Sequence, residues 1–261
     1  MNRRIAFAVL TAAALSACTE EQRITGPFAL SADEHKFSCP SSGTPLPGSR
    51  VSGELEVNGT CVLDGVTING DITIVAGGSL QAQNITVIGG ISVLKCGELD
   101  VNLGAPTGTT STINGDIVIN ASDQCTSPAF SDVDIWTTHI KGNISVTGAY
   151  LSRPTICGNN IGGNVTLDRV TSSHHFWIGD PDGFGGCPGN TIEGTLSLSN
   201  SSAGFEVESN TVGGSVLLSG TTLELNGNTI RGSLRCSSGA VILPGEAPDP
   251  SGNTVRGANR C

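Results

Sequence analysis

Aromatic side chains are scarce in this sequence: 4% of 261 residues, with two Trp, one Tyr and seven Phe. Charged residues are scarce as well, at 14%, and there is a single Met. So few rings exclude a core built from interlocking aromatics. So few charges, with a mean hydropathy of +0.07, exclude a solvated, disordered chain. No amphipathic helical stretch separates the apolar segments, which excludes βαβ units and leucine-rich horseshoes. No Cys-x-x-Cys or His-rich spacing points to zinc. What remains plentiful is Gly, 36 of them, together with Val, Ile and Leu. Many small turns and many aliphatic side chains are the material of a repeat fold.

The first residues read as a targeting segment. Arg3 and Arg4 precede an apolar run, residues 5–15, too short to cross a membrane as a helix. The run ends in Leu15-Ser16-Ala17-Cys18, which resembles the lipobox of bacterial lipoproteins. That resemblance implies cleavage of a signal peptide, residues 1–17, lipidation of Cys18, and a membrane partner in the cell envelope, at the outer membrane or cell surface. Cleavage removes Arg3 and Arg4 and no acid, so the formal charge moves from −10 to −12. Such a surface repels phosphate, and nucleic acid is not an expected partner. Residues 18–48, rich in Pro, Gly and Ser, read as a flexible tether whose Phe28, Leu30 and Phe37 could cap the domain.

From residue 49 to 261 one pattern returns: apolar, any, Gly, any, apolar, any, apolar. It fits residues 51–57 and 68–74, and returns at Gly89, Gly115, Gly142, Gly163, Gly194, Gly214 and Gly232, with a truncated copy at Gly257. Alternation within each copy predicts a strand with one buried face, and Gly permits a bend or close stacking. A second strand follows in most copies, as in Leu80-Gln81-Ala82 and Leu223-Glu224-Leu225. Coils of roughly 20 residues stacked by parallel pairing predict an all-β fold: a right-handed parallel β-helix of about nine to ten coils.

Two side-chain series share this register. Asn159, Asn190, Asn210, Asn228 and Asn253 each stand four residues before a repeat glycine, which predicts a ladder of stacked amides. With Cys18 set aside, eight cysteines remain, an even set that suits an exported protein. Cys236 and Cys261 both follow their glycines by four residues and are expected to face inward, one above the other. Cys157 and Cys187 are nearly in register. Cys96–Cys125 and Cys39–Cys61 are the remaining neighbour pairs, since each coil of a solenoid touches only the next.

The Gly70-Asp71-Ile72 and Gly115-Asp116-Ile117 signatures and the Ile-x-Gly-x-Ile rhythm of residues 51–120 resemble bactofilins, polymer-forming bacterial β-helix proteins. The resemblance covers about a quarter of the chain. It implies a right-handed β-helix without cofactor that assembles end to end. Residues 150–261 are more similar to disulfide-pinned β-helices of secreted bacterial proteins.

Chemistry is harder to find. No Gly-x-Ser-x-Gly, phosphate loop or His-Glu-x-x-His occurs. A polysaccharide-cleaving β-helix needs carboxylates gathered on adjacent coils. Asp134, Asp168, Asp180 and Asp182 share no offset from the glycines, so the acids read as scattered and no catalytic residue or metal site is expected. Asp180-Pro181-Asp182-Gly183 is shorter than a full calcium loop and reads as a turn. Both Trp residues and the only Tyr fall in three consecutive coils: Trp136, Tyr150 and Trp177, with His139, Arg153 and His175 nearby. Alternation puts Val133, Ile135, Phe176 and Ile178 inward and Asp134, Trp136, His175 and Trp177 outward. This is the candidate binding face, suited to a glycan or cell-surface polymer. In the last coils Arg231, Arg235, Arg256 and Arg260 point outward in two stacked pairs, while Glu54, Glu56, Asp64 and Asp71 mark the first coils. They are the candidates for self-association. The composite expectation is a non-enzymatic, lipid-anchored surface scaffold, with glycan or partner binding as the alternative and a polysaccharide-acting enzyme behind both.

Overall fold

The computed structural model describes residues 36–41, 43–120, 132–182, 186–244 and 252–261. Cys18, the signal peptide and Cys125 lie outside the described residues. Among those described, the regular elements are strands, and every strand-to-strand pairing is parallel. They form a right-handed parallel β-helix with three long sheets. Face 1 has ten strands, face 2 eleven and face 3 nine.

One coil shows why the sequence folds this way. Thr67–Ile68 belongs to face 1, Ile72–Ile74 to face 2 and Ser79–Gln83 to face 3. The repeat therefore is not one strand, as alternation suggested. It is two strands on different sheets, parted by a corner at the glycine. Apolar positions on both sides of that corner still point inward, which is why the alternation runs through it unbroken. Ile68, Ile72, Ile74 and Leu80 are all fully buried.

The corner glycines stack directly on one another. Gly194 donates its N–H to the Gly163 carbonyl at 3.0 Å. A Cβ on Gly194 would lie 2.6 Å from that carbonyl oxygen and 2.5 Å from Asn164 Oδ1, so the close approach demands glycine. The residue after the glycine satisfies the corner from outside. The N–H groups of Asn143, Asn164 and Thr195 donate in turn to Asp116 Oδ1, Asn143 Oδ1 and Asn164 Oδ1, at 2.7, 2.8 and 2.8 Å. This second polar column escaped the sequence reading because Asp, Asn, Thr and Ser all serve in it.

The asparagine ladder forms inside the turn that leads into face 1. Asn190 donates from its backbone N–H and its Nδ2 to Asn210 Oδ1, at 2.8 and 2.9 Å, and from Nδ2 to the Ile156 carbonyl at 2.7 Å. Asn159, Asn210 and Asn228 repeat the scheme one coil apart, and Asn253 closes it. A buried amide costs several kcal/mol when unsatisfied, so the stack holds only because each amide bonds the coil above and the coil below.

Disulfides join Cys39–Cys61, Cys157–Cys187 and Cys236–Cys261, with Cα separations of 5.7, 5.0 and 4.9 Å. Cys96 is also disulfide-bonded. The last pair departs from the inward expectation: Cys236 is half-buried and Cys261 exposed. At the other end, Lys36–Cys39 pairs in register with Glu54–Val57 and opens face 2. That strand lies within the segment expected to be a tether or cap.

Candidate functional site

Parallel pairing without slippage turns the outward positions of face 3 into a straight row. Gln81 stands opposite Asp100, Asp100 opposite Asp134, and Asp134 opposite Thr155. Thr155 stands opposite Trp177, Trp177 opposite Glu206, and Glu206 opposite Glu224. Successive members are one strand spacing apart, about 4.8 Å. Beneath them Val133, Ile135, Phe176 and Ile178 are fully buried, as alternation requires, and the Phe176 and Phe205 rings meet at 5.5 Å.

The acids of this face are gathered, not scattered. Asp100 and Asp134 are hydrogen-bonded to each other, with Asp132 and Glu98 close enough to act on them. Asp134 also departs from the exposed position expected of it. It occupies the outward register yet is only 5% exposed, because its neighbours close over it. The Thr155 hydroxyl donates to Asp134 Oδ1 and accepts from Trp136 Nε1 at 2.7 Å. Burial, with the charges of Asp132 and Asp100 adding to it, pushes the Asp134 carboxyl up to about 8 against the Thr155 hydrogen bond. Burial and the charge of Asp132 push Asp100 up to about 6, opposed by the bond from Asp134. Asp132 is raised too, by burial, although the backbone N–H groups of Arg153 and Val133 temper it. At neutral pH the arrangement therefore holds a proton on Asp134 and presents a half-exposed, ionised Asp100 at the surface.

A hydrogen-bonded carboxyl pair is closer than the ~5 Å of retaining glycosidases and the ~6.5–9.5 Å of inverting ones. The pair leaves no room for a sugar or a water between its members. Its chemistry is that of a shared proton and a negative surface. Asp100 also lines a groove of about 380 Å³ with Gln81, Gln83, Val62 and Leu103. Amides beside exposed apolar side chains offer both hydrogen bonds and flat contact to a sugar ring.

The aromatic candidates divide. Trp177 lies half-buried in the row itself, and the His175 ring sits 6.1 Å from it. His175 Nδ1 is hydrogen-bonded to Glu206 Oε1. Trp136 ends the strand that carries Asp134, and Arg153 is exposed beside Asp132. Trp136 and Trp177 belong to strands of face 3, and His175 and Arg153 stand just before its strands Phe176–Ile178 and Thr155–Cys157. His139 lies elsewhere: it is exposed on face 1, in register with Thr112 and Asn160. Tyr150 lies on a separate two-stranded sheet, paired with Thr171. Gln81, Asp100, Thr155, Glu206 and Glu224 are the members that sequence reasoning missed.

Elsewhere, Asp180, Asp182 and Glu208 converge with carboxylate oxygens within 4.8 Å of one another. Asp180 and Glu208 are buried and Asp182 is exposed. At the C-terminal end Arg231, Arg235, Arg256 and Arg260 are all exposed, with Arg235 directly opposite Arg260. At the N-terminal end Glu56 is already paired with Lys36, and Glu54 accepts from Thr73 at 2.9 Å. Compared with protein-family models, curated proteins and solved structures, the chain matches none.

Proposed function

We propose that this chain is an exported, lipid-anchored β-helix that binds a glycan of the cell envelope along face 3. The observation that carries the reading is the in-register row from Gln81 to Glu224, whose Gln81, Asp100, Trp177, Glu206 and Glu224 reach the surface on either side of the buried Asp134 and Thr155, with a groove at its N-terminal end. A flat row with one aromatic platform and hydrogen-bonding groups at regular steps suits an extended polymer lying along the rod. The solenoid supplies rigidity, the disulfides suit an oxidising compartment, and lipid on Cys18 would hold the rod at a membrane.

A glycan array with the exported chain tests the reading. Binding is expected, and Trp177→Ala should abolish it while leaving the melting temperature within about 2 °C, since the indole is half-exposed. Binding that survives the change would remove face 3 from the account. Cys18→Ala should shift the protein out of the membrane fraction or leave it uncleaved; unchanged detergent partitioning would remove the anchor.

Assembly as a surface scaffold is the second reading, favoured by the four exposed arginines of the last coils and by the exposed final strand of face 3, Val241–Leu243. The pairing of Glu56 with Lys36 weakens the acidic counterpart at the other end. Self-association that falls with salt and with charge reversal at Arg256 and Arg260 would support it. A monomer at high concentration and low salt would remove it.

A further inference from the structure

Resting on the glycan reading of face 3, we infer that the bound polymer carries free, protonated amines: a chain of glucosamine type, not a neutral, N-acylated or uronic one. Three features of the face point the same way. The indole of Trp177 stands directly opposite the carboxylate-bearing Glu206, with Thr155 and then Asp134 and Asp100 on its other side. An aromatic ring beside a carboxylate, here Trp177 beside Glu206, is a surface that takes an ammonium group, through the ring quadrupole and the neighbouring charge together. The charges acting on Asp100 and Asp134 are mainly other carboxylates, so an arriving cation relieves repulsion that a neutral sugar would leave in place. A uronate would add to it. Arg153 stands at the margin beside Asp132, and His175 is engaged with Glu206, so neither turns the row basic.

The geometry also fits a polymer better than a single ammonium ion. The row runs over seven in-register positions at one strand spacing each, so its acids and the Trp177 ring are spread along the rod as an extended chain would be. The groove beside Asp100 adds Gln81 and Gln83 as partners for hydroxyls, and Val62 and Leu103 as apolar contact for a ring face. Both exposed apolar side chains, at 53% and 45%, lie beside the acid that a sugar amine would approach.

Calorimetric titration of the full exported chain, at pH 7 where Asp100 is ionised, tests this with four probes: short oligomers of glucosamine, of N-acetylglucosamine and of galacturonic acid, and polylysine. Glucosamine oligomers should bind about tenfold tighter than their acetylated counterparts, and galacturonate oligomers should not bind. Added salt should erase the preference. Asp100→Asn should reduce the preference for the amine form, whereas Trp177→Ala should weaken binding of both oligomers. Equal affinity for the two glucosamine oligomers overturns the amine inference and leaves the glycan reading standing. No binding of any sugar overturns both. Polylysine binding as tightly, and indifferently to Trp177→Ala, would make the face a general acidic surface and overturn the inference as well.

Discussion

The asparagine ladder and the carboxyl row of face 3 obey one geometry. Each places polar side chains in register on adjacent coils, and each has buried members. Asn159, Asn190, Asn210 and Asn228 are 2% exposed or less, and Asp134 is 5% exposed. They differ in complementarity. An amide carries a donor and an acceptor, so identical amides stacked head to tail satisfy one another indefinitely. A carboxylate carries acceptors alone, so an identical stack must hold a proton or endure repulsion. Asp168 shows what a carboxylate does when donors face it. The Asn200 amide and the Ser199 hydroxyl hold it below the usual carboxylate range. Asp100 and Asp134 move the opposite way. A solenoid stabilises itself with the first kind of stack; the second brings it no stability and stands where a ligand would reach it.

The sharpest way to break the comparison is to remove one rung of the ladder. Asn190→Ala would leave the Asn159 N–H without a partner, Asn159 Nδ2 with the Ile135 carbonyl alone, and the Ile156 carbonyl with the Gly179 N–H in place of two donors. At ~1–3 kcal/mol for the one buried donor left unsatisfied, with the weakening of the other two groups added, the loss should be about 2–4 kcal/mol. Denaturant midpoints measure it, and a loss below ~1 kcal/mol would mean that water replaces the amide freely.

The carboxyl row should respond with the opposite sign. Asp100 and Asp134 have folded-state values raised to about 6 and about 8, above an unfolded value near 3.8. Between those limits the folded chain holds protons that the unfolded chain has released. Stability is therefore fully present at acidic pH and is lost as pH rises toward about 8, by several kcal/mol. Asp134→Asn keeps a donor toward Asp100 and an acceptor for Thr155 but cannot ionise. It should flatten that dependence and make the protein more stable than its parent above about pH 8. Urea unfolding across the window checks this, and a parent whose stability does not fall would mean that Asp134 is ionised throughout.

These two stacks were unequally legible in the sequence. Each ladder asparagine stands a constant four residues before its glycine, because the turn between them has one length in every coil. The glycine corner was legible for the same reason, although its two strands read as one. Asp100 follows Gly89 by eleven residues, whereas Asp134 follows Gly115 by nineteen, with residues 121–131 inserted between them. Counting from the glycine therefore scatters acids that pairing brings together. His139 was misplaced by the opposite error: nearness in sequence to Trp136 hides a corner that carries it to another face. The burial of Asp134 was not legible at all, since alternation assigns a side but not what closes over it.

The smallest effect, and the most discriminating, belongs to Thr155. Its side chain is fully buried between the two systems that meet on face 3, accepting from Trp136 Nε1 and donating to Asp134. Thr155→Val preserves shape and removes both bonds. At about pH 6 Asp134 is protonated with or without Thr155, and the half-exposed Trp136 indole can turn to water, so the loss should stay near 1 kcal/mol. Near pH 9 Asp134 is ionised, and the missing bond is a charge-assisted one, so the loss should grow to about 2 kcal/mol. The hydroxyl favours the ionised form, so its removal also moves the Asp134 titration further upward. A satisfied stack such as the asparagine ladder has no titrating member in this range, and Asn190→Ala should cost the same at both pH values. If Thr155→Val likewise costs the same at pH 6 and pH 9, Asp134 does not change charge between them, and the row is a neutral stack like the ladder.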